Sequence, residues 1–311
     1  MKSVRRVPRR YDAGVLSLAM LLIAGTPPAR ADEAADLGKV VPEVLGKEQR
    51  REAAGMIDRD ITRRTNAANA RSREAWQQIQ TREQWERYRD ERLARLRRSL
   101  GDYPAPAAKL NLRVTGVVNG EGFRIENVVY ESRPGQWVPG NLYGPSKPGR
   151  SMPALLIAHS HHRDKPQAEL QDMGMTWARA GCLVLVIDQV GYGERRSHPF
   201  HGAQDFAKPY RVSRQDYYFR YDSGVQLQLL GDSLLGWMTW DLSRGVDLLL
   251  AREGVDPKRI ILLGAVAGGG DPAGVTAALD RRIACCVPFN FGGPQPETAY
   301  PLPADAEASF N

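Results

Sequence analysis

The sequence predicts an α/β domain, a mixed and mostly parallel sheet with helices on both faces, preceded by an amphipathic helical segment. Three observations carry that prediction. Short apolar runs at 154–158, 183–187 and 259–263 alternate with helical stretches, as strands buried on both faces of a parallel sheet must. Strand-like stretches at 112–118 and 123–131 flank Asn119-Gly120-Glu121-Gly122, a hairpin signal that puts antiparallel strands first. Upstream of Leu110 the apolar spacing is helical instead.

The elements follow in chain order. Lys2, Arg5, Arg6, Arg9 and Arg10 precede a thirteen-residue apolar stretch, 13–25, and then Ala29-Arg30-Ala31. This is the order of a secretory signal. Thirteen residues are too few to cross a hydrocarbon core of about 30 Å as a helix. Residues 1–31 are therefore expected to be cleaved after Ala31, leaving a periplasmic or secreted protein without a stable membrane anchor. Residues 32–101 form a basic helical extension. Trp76, Ile79 and Trp85, then Leu93, Leu96 and Leu100, fall near helical spacing, which predicts one or two helices ending at Gly101. Residues 102–311 hold the sheet domain. Its expected elements are strands at 112–118, 123–131, 137–143 and 154–158, a helix at 167–180 and a strand at 183–187. A long helix at 224–252, interrupted near Gly231, a strand at 259–263 and a glycine-rich loop come next. Asp271-Pro272 reads as the cap and first residue of a helix to about Leu279, and a strand at 283–287 closes the series.

Composition narrows the function. At 311 residues, 42% hydrophobic and 25% charged, the chain has the make-up of an ordinary globular protein. The net charge is +7, but Glu83, Glu86, Asp90 and Glu91 interleave the arginines of the extension. That is a solvated face with i,i+4 pairs rather than a nucleic-acid arm. Cys182, Cys285 and Cys286 lie in or beside apolar runs and read as small buried thiols. Nothing calls for a cofactor.

Four segments then carry a resemblance. Glu131-Ser132-Arg133-Pro134-Gly135 leads into Val138-Pro139-Gly140-Asn141-Leu142-Tyr143. The strand from Pro153 ends in His159, and Asp188-Gln189-Val190-Gly191-Tyr192-Gly193-Glu194 has the form D-x-x-G-x-G. Residues 240–244 and 255–260 lead toward a glycine-rich turn. In this order and spacing the chain resembles the α/β-hydrolase superfamily, especially bacterial acetyl xylan esterases and dienelactone-hydrolase-type proteins. The resemblance implies an α/β-hydrolase fold, carboxylic-ester hydrolysis such as removal of acetyl groups from polysaccharide, and a small-molecule or carbohydrate ester as partner. It also implies an oxyanion loop built from His159, Ser160, His161 and Ala267.

The pattern departs at the nucleophile. The fold presents its serine on a sharp strand-to-helix turn, G-x-S-x-G. Here the turn reads Gly264-Ala265-Val266-Ala267-Gly268, followed by Gly269-Gly270. Gly264, Gly268 and Gly269 are the close-packing positions, but Val266 stands where serine belongs. Neither it nor Ala267, one register on, can attack a carbonyl. The superfamily also places its histidine after the nucleophile, whereas His159, His161, His162, His198 and His201 all precede Val266. The C-terminal strands that would carry acid and base are missing from the sequence. A truncated gene product and a non-catalytic relative kept for binding carbohydrate or ester are the two explanations. The unpaired edge left after 283–287 would invite aggregation, which favours truncation.

Three further readings concern other residues. Gly264, Gly268 and Gly270 mimic a dinucleotide fingerprint, but such a loop opens its fold, and Asp271 would repel phosphate. His159, His161 and His162 offer a metal-dependent hydrolase as an alternative. Asp164 falls one place late for H-x-H-x-D-H and no fourth ligand is evident, so no tight metal is expected. His198 and His201 are placed in an inserted loop with Tyr210, Tyr217, Tyr218 and Tyr221, and Ser160 and Ser233 read as loop and helix hydroxyls.

Overall fold

The computed structural model describes residues 38–41, 43–102, 109–159, 164–197 and 212–289. Two units divide the chain, one up to Ile61 and one from Thr62 onward. The signal segment, Ser160, His161, His162, His198, His201 and Tyr210 lie outside the described residues.

Among its described residues the extension forms three helices where one or two were expected: α1 (Lys47–Ala53), α2 (Met56–Gln77) and α3 (Arg82–Ser99). Gly55, at φ 73°, separates the first two. Thr81 starts the third with a capping box, its hydroxyl accepting from the Gln84 amide at 3.2 Å while Gln84 Oε1 accepts from the Thr81 amide at 3.1 Å. Neither α2 nor α3 has a buried residue. At their junction Trp76 meets Trp85 edge-on, with ring centroids 5.7 Å apart.

Among the described residues seven strands form one sheet in the order β1-β2-β3-β5-β4-β6-β7. They are β1 (Arg113–Gly120), β2 (Phe123–Arg133), β3 (Gln136–Pro145), β4 (Met152–Ala158), β5 (Leu183–Ile187), β6 (Val255–Ala265) and β7 (Cys285–Phe289). The first three pairings are antiparallel and the last three parallel. Glu121 and Gly122 close the predicted hairpin, with Gly120 opposite Phe123 and Gly122 at φ 80°. Side chains alternate between two cores. Leu156, Ala158, Leu185, Ile187 and Leu262 pack with α6 (Leu234–Leu250) and with Ala273 of α7 (Val266–Leu279) on one face. Leu155, Ile157, Val184 and Val186 pack on the other face with Leu170 and Ala178 of α4 (Ala168–Arg179). Each fully buried aliphatic side chain contributes about 1.5–3 kcal/mol, which is why the central strands carry apolar residues on both sides.

Several expected boundaries are corrected. The break expected near Gly231 is present, with Gly231 at φ 78° between α5 (Val212–Leu229) and α6, but α5 starts twelve residues before the predicted 224. Tyr217, Tyr218 and Tyr221 therefore lie on α5 rather than in a loop. β6 starts at Val255, four residues before the predicted strand. Helix α7 starts at Val266, so Asp271 and Pro272 sit inside it and do not cap it. Pro272 removes one rung of the hydrogen-bond ladder, and the Thr276 hydroxyl donates to its carbonyl at 2.5 Å. Tight packing of the strand-to-helix turn, described below, fixes the helix start and overrides the local preference of proline. Cys182 is buried as expected, but Cys285 is exposed and Cys286 only partly covered, because β7 is flanked by β6 alone among the described strands.

Candidate functional site at the β4–β6 crevice

The topology places the site. From β4 the chain crosses by α4 to its neighbour β5, then returns by α5 and α6 to β6 on the other side of β4. The loops leaving β4 and β6 therefore diverge to opposite faces. Open parallel sheets bind ligands in that crevice, at the carboxyl ends of the strands. His159 follows β4 there, and Val266 follows β6.

Val266 adopts φ 58°, the left-handed region that a β-branched residue almost never enters. Ala265 is still extended at φ −131°, so strand turns into helix within one residue. The turn is possible because its neighbours are glycine. A Cβ on Gly264 would overlap the Gly269 carbonyl, and a Cβ on Gly269 would overlap the carbonyl oxygen of Ala158 and sit 2.9 Å from that of His159. Gly268 is buried in the same turn. Ala265 supplies no side-chain cap to α7, which leaves the first amides of the helix as donors beside the crevice, at the positive end of the helix dipole. This is the backbone geometry of a nucleophile elbow, carrying an isopropyl group.

On the β4 side His159 is 2% exposed. Its ring Nε2 accepts the Gln189 amide at 3.3 Å, and its carbonyl accepts Gln189 Nε2 at 2.5 Å. Nε2 is thereby engaged across the loop, which opposes its use as a metal ligand. Of the oxyanion-loop candidates, His159 and the backbone of Ala267 are described. Among the described residues no group of three metal-ligating side chains is found.

Asp188 organises the neighbouring turn. Gly191 and Gly193 have φ 85° and 56°, and a Cβ on Gly193 would overlap the Asp188 carboxylate. That carboxylate accepts the Lys165 amide at 2.9 Å, the Lys165 ammonium at 2.6 Å and the Glu194 amide at 3.1 Å. The ammonium also meets Glu194. Burial pulls the Lys165 pKa down, but the bonds to Asp188 and Glu194 outweigh it and hold the group above the ordinary lysine range. Arg195 ties the turn to α6 through Asp241 at 2.6 Å, and the buried Tyr130 hydroxyl donates to the Asp241 carbonyl at 2.8 Å. Sequence reasoning found Asp188 and its glycines but gave no role to Lys165, Gln189, Arg195 or Asp241. Their partners lie between 7 and 111 residues away, and local spacing holds no signal for such pairs. Ser233 caps α6, its oxygen accepting the Gly236 amide at 2.9 Å while its hydroxyl donates to Leu100 at 3.1 Å.

A mixed sheet with this strand order and a strained helix start at its switch point defines the α/β-hydrolase fold. No family model matches the chain. It is similar to YtaP, a protein of Bacillus subtilis (strain 168) assigned as a hydrolase, with 28% identity over 211 residues, 64% of this chain and 63% of that protein. Two solved structures share the fold. One is a Bacteroides fragilis protein assigned as an acetyl xylan esterase, with TM-score 0.54 and 16% identity over 66% of this chain and 53% of that one. The other is methylesterase BT1017, with TM-score 0.55 and 19% identity over 74% of this chain and 45% of that one. The chain spans less than two thirds of the length of each of these proteins.

Proposed function

We propose that the chain is an exported carboxylic-ester-binding protein of the α/β-hydrolase type, with a carbohydrate acetyl ester as the class of ligand, and that it does not turn the ester over through its elbow. One observation carries the reading: Val266 occupies the elbow with the backbone of a nucleophile, at φ 58°, and no atom able to attack. The first amides of α7, which no Ala265 side chain caps, favour a polarised carbonyl oxygen in the crevice. The names of the similar proteins, an acetyl xylan esterase and a methylesterase, support an ester as the bound group.

Pre-steady-state kinetics with 4-nitrophenyl acetate test this. The expected trace has no burst, since no acyl-enzyme forms, and Val266→Ser alone adds little because a serine without a base is a weak nucleophile. A burst stoichiometric with protein in the unaltered chain would overturn the reading.

A further inference from the structure

We propose that a second groove, on the α4 face of β1–β3, binds a neutral saccharide chain. The groove encloses about 430 Å³, within the usual range for small-molecule sites. Strand alternation builds it. Residues 127 and 129 of β2 and 137 and 139 of β3 point to the α4 face, opposite the side of Val128, Tyr130 and Val138. Pro139 stands opposite Val129 as an apolar floor. Trp137 forms a wall, its ring plane fixed by the Arg113 guanidinium 4.5 Å from the ring centroid. Lys165 and Glu194 also line the groove.

The chemistry of the walls selects the ligand. Thr115 donates its hydroxyl proton to the Asn127 carbonyl at 3.3 Å, and Asn127 Nδ2 donates to Asn141 at 2.8 Å. Each is oriented yet keeps hydrogen-bonding capacity, the threonine as acceptor and the amide through its second N–H. The Glu194 side chain is 70% exposed and anchored by Lys165, so it can accept hydroxyl protons. The Lys165 ammonium is held by two carboxylates, the buried Asp188 and Glu194, so it is already engaged and offers an anion little. The cation position on Trp137 is already filled by Arg113. A neutral polyol with an apolar ring face suits a groove lined by an indole, an amide and a carboxylate. The inference rests on the groove alone and does not require the ester reading.

Titration calorimetry with xylotetraose and cellotetraose tests it, using trigalacturonate as the anionic control. We expect a neutral tetrasaccharide to bind with Kd of about 0.1–1 mM, and trigalacturonate at least about tenfold more weakly. Trp137→Ala should weaken binding at least about tenfold, and Glu194→Gln, at an exposed side chain that folding tolerates, about threefold or more. Val266→Phe, which fills the crevice, should leave tetrasaccharide binding intact. No binding of either neutral chain up to about 10 mM, tighter binding of trigalacturonate, or indifference to both groove variants would overturn the proposal. Loss in Val266→Phe with no loss in the groove variants would place the saccharide in the crevice, contradicting the groove while leaving the ester reading standing.

Discussion

At Val266 a β-branched side chain is held at φ 58° between two tightly packed glycine contacts. A non-glycine residue in that region costs about 1–3 kcal/mol. Glycine would relieve the strain, at the expense of some unfolded-state entropy and the contacts of a half-buried side chain. Val266→Gly should therefore stabilise the protein by about 1 kcal/mol, read as a higher urea midpoint at unchanged slope. A lower midpoint would mean that the valine side chain packs well enough to offset its backbone. The residues of this turn were legible in the sequence because Gly264, Val266 and Gly268 follow a fixed spacing that steric crowding enforces. His159 was legible only as a loop residue. Its engagement by Gln189, thirty residues on, depends on β4 and β5 lying side by side, which no local pattern encodes.

Helix α6 is tied to the C-terminal end of α7 by an ionic cluster. The Ser243 hydroxyl donates to Asp280 at 2.6 Å, Arg282 donates to the same carboxylate at 2.6 Å, and Arg282 also pairs with Asp247. Burial raises the Asp280 pKa, but the bonds from Arg282 and Ser243 outweigh it and hold the group below its ordinary value. Stability from a depressed carboxylate is present above the unfolded pKa and is lost as pH falls through the folded one. Arg282 is partly solvated, which screens the pair, so Asp280→Asn should cost only about 1–2 kcal/mol near neutral pH. That cost should shrink at acid pH, starting below the unfolded carboxylate value of about 3.9 and vanishing only once the pH has fallen through the lower folded value. Denaturation midpoints at neutral and at acid pH check this; an equal loss at each would show that the charge plays no part. At this scale the central strands were legible, since burial on two faces forces continuous apolar runs. The starts of α5 and α7 were not. Pro272 marks a helix start in isolation, but the packing of Gly264 against Gly269 sets the start at Val266.

Over the whole molecule, strand order turns separate stretches of sequence into one crevice. The return of the chain from β5 past β4 to β6 is what brings the loop at His159 opposite the turn at Val266. The mixed sheet could be anticipated from strand type, whereas its order was implied only by the resemblance. The basic start of the chain, the thirteen apolar residues and Ala29-Arg30-Ala31 support export. The intact mass of protein recovered from the periplasm or medium should correspond to a chain beginning at Asp32. A mass that includes Met1 would contradict export by cleavage.

On the proposed reading, the turn at Val266 keeps the geometry of an elbow without its nucleophile. Incubation with a fluorophosphonate probe, followed by intact mass and peptide mapping, tests it most directly. No adduct is expected, because Val266 offers no atom to phosphorus. A stoichiometric adduct on any residue would contradict it, and its position would mark the true active site.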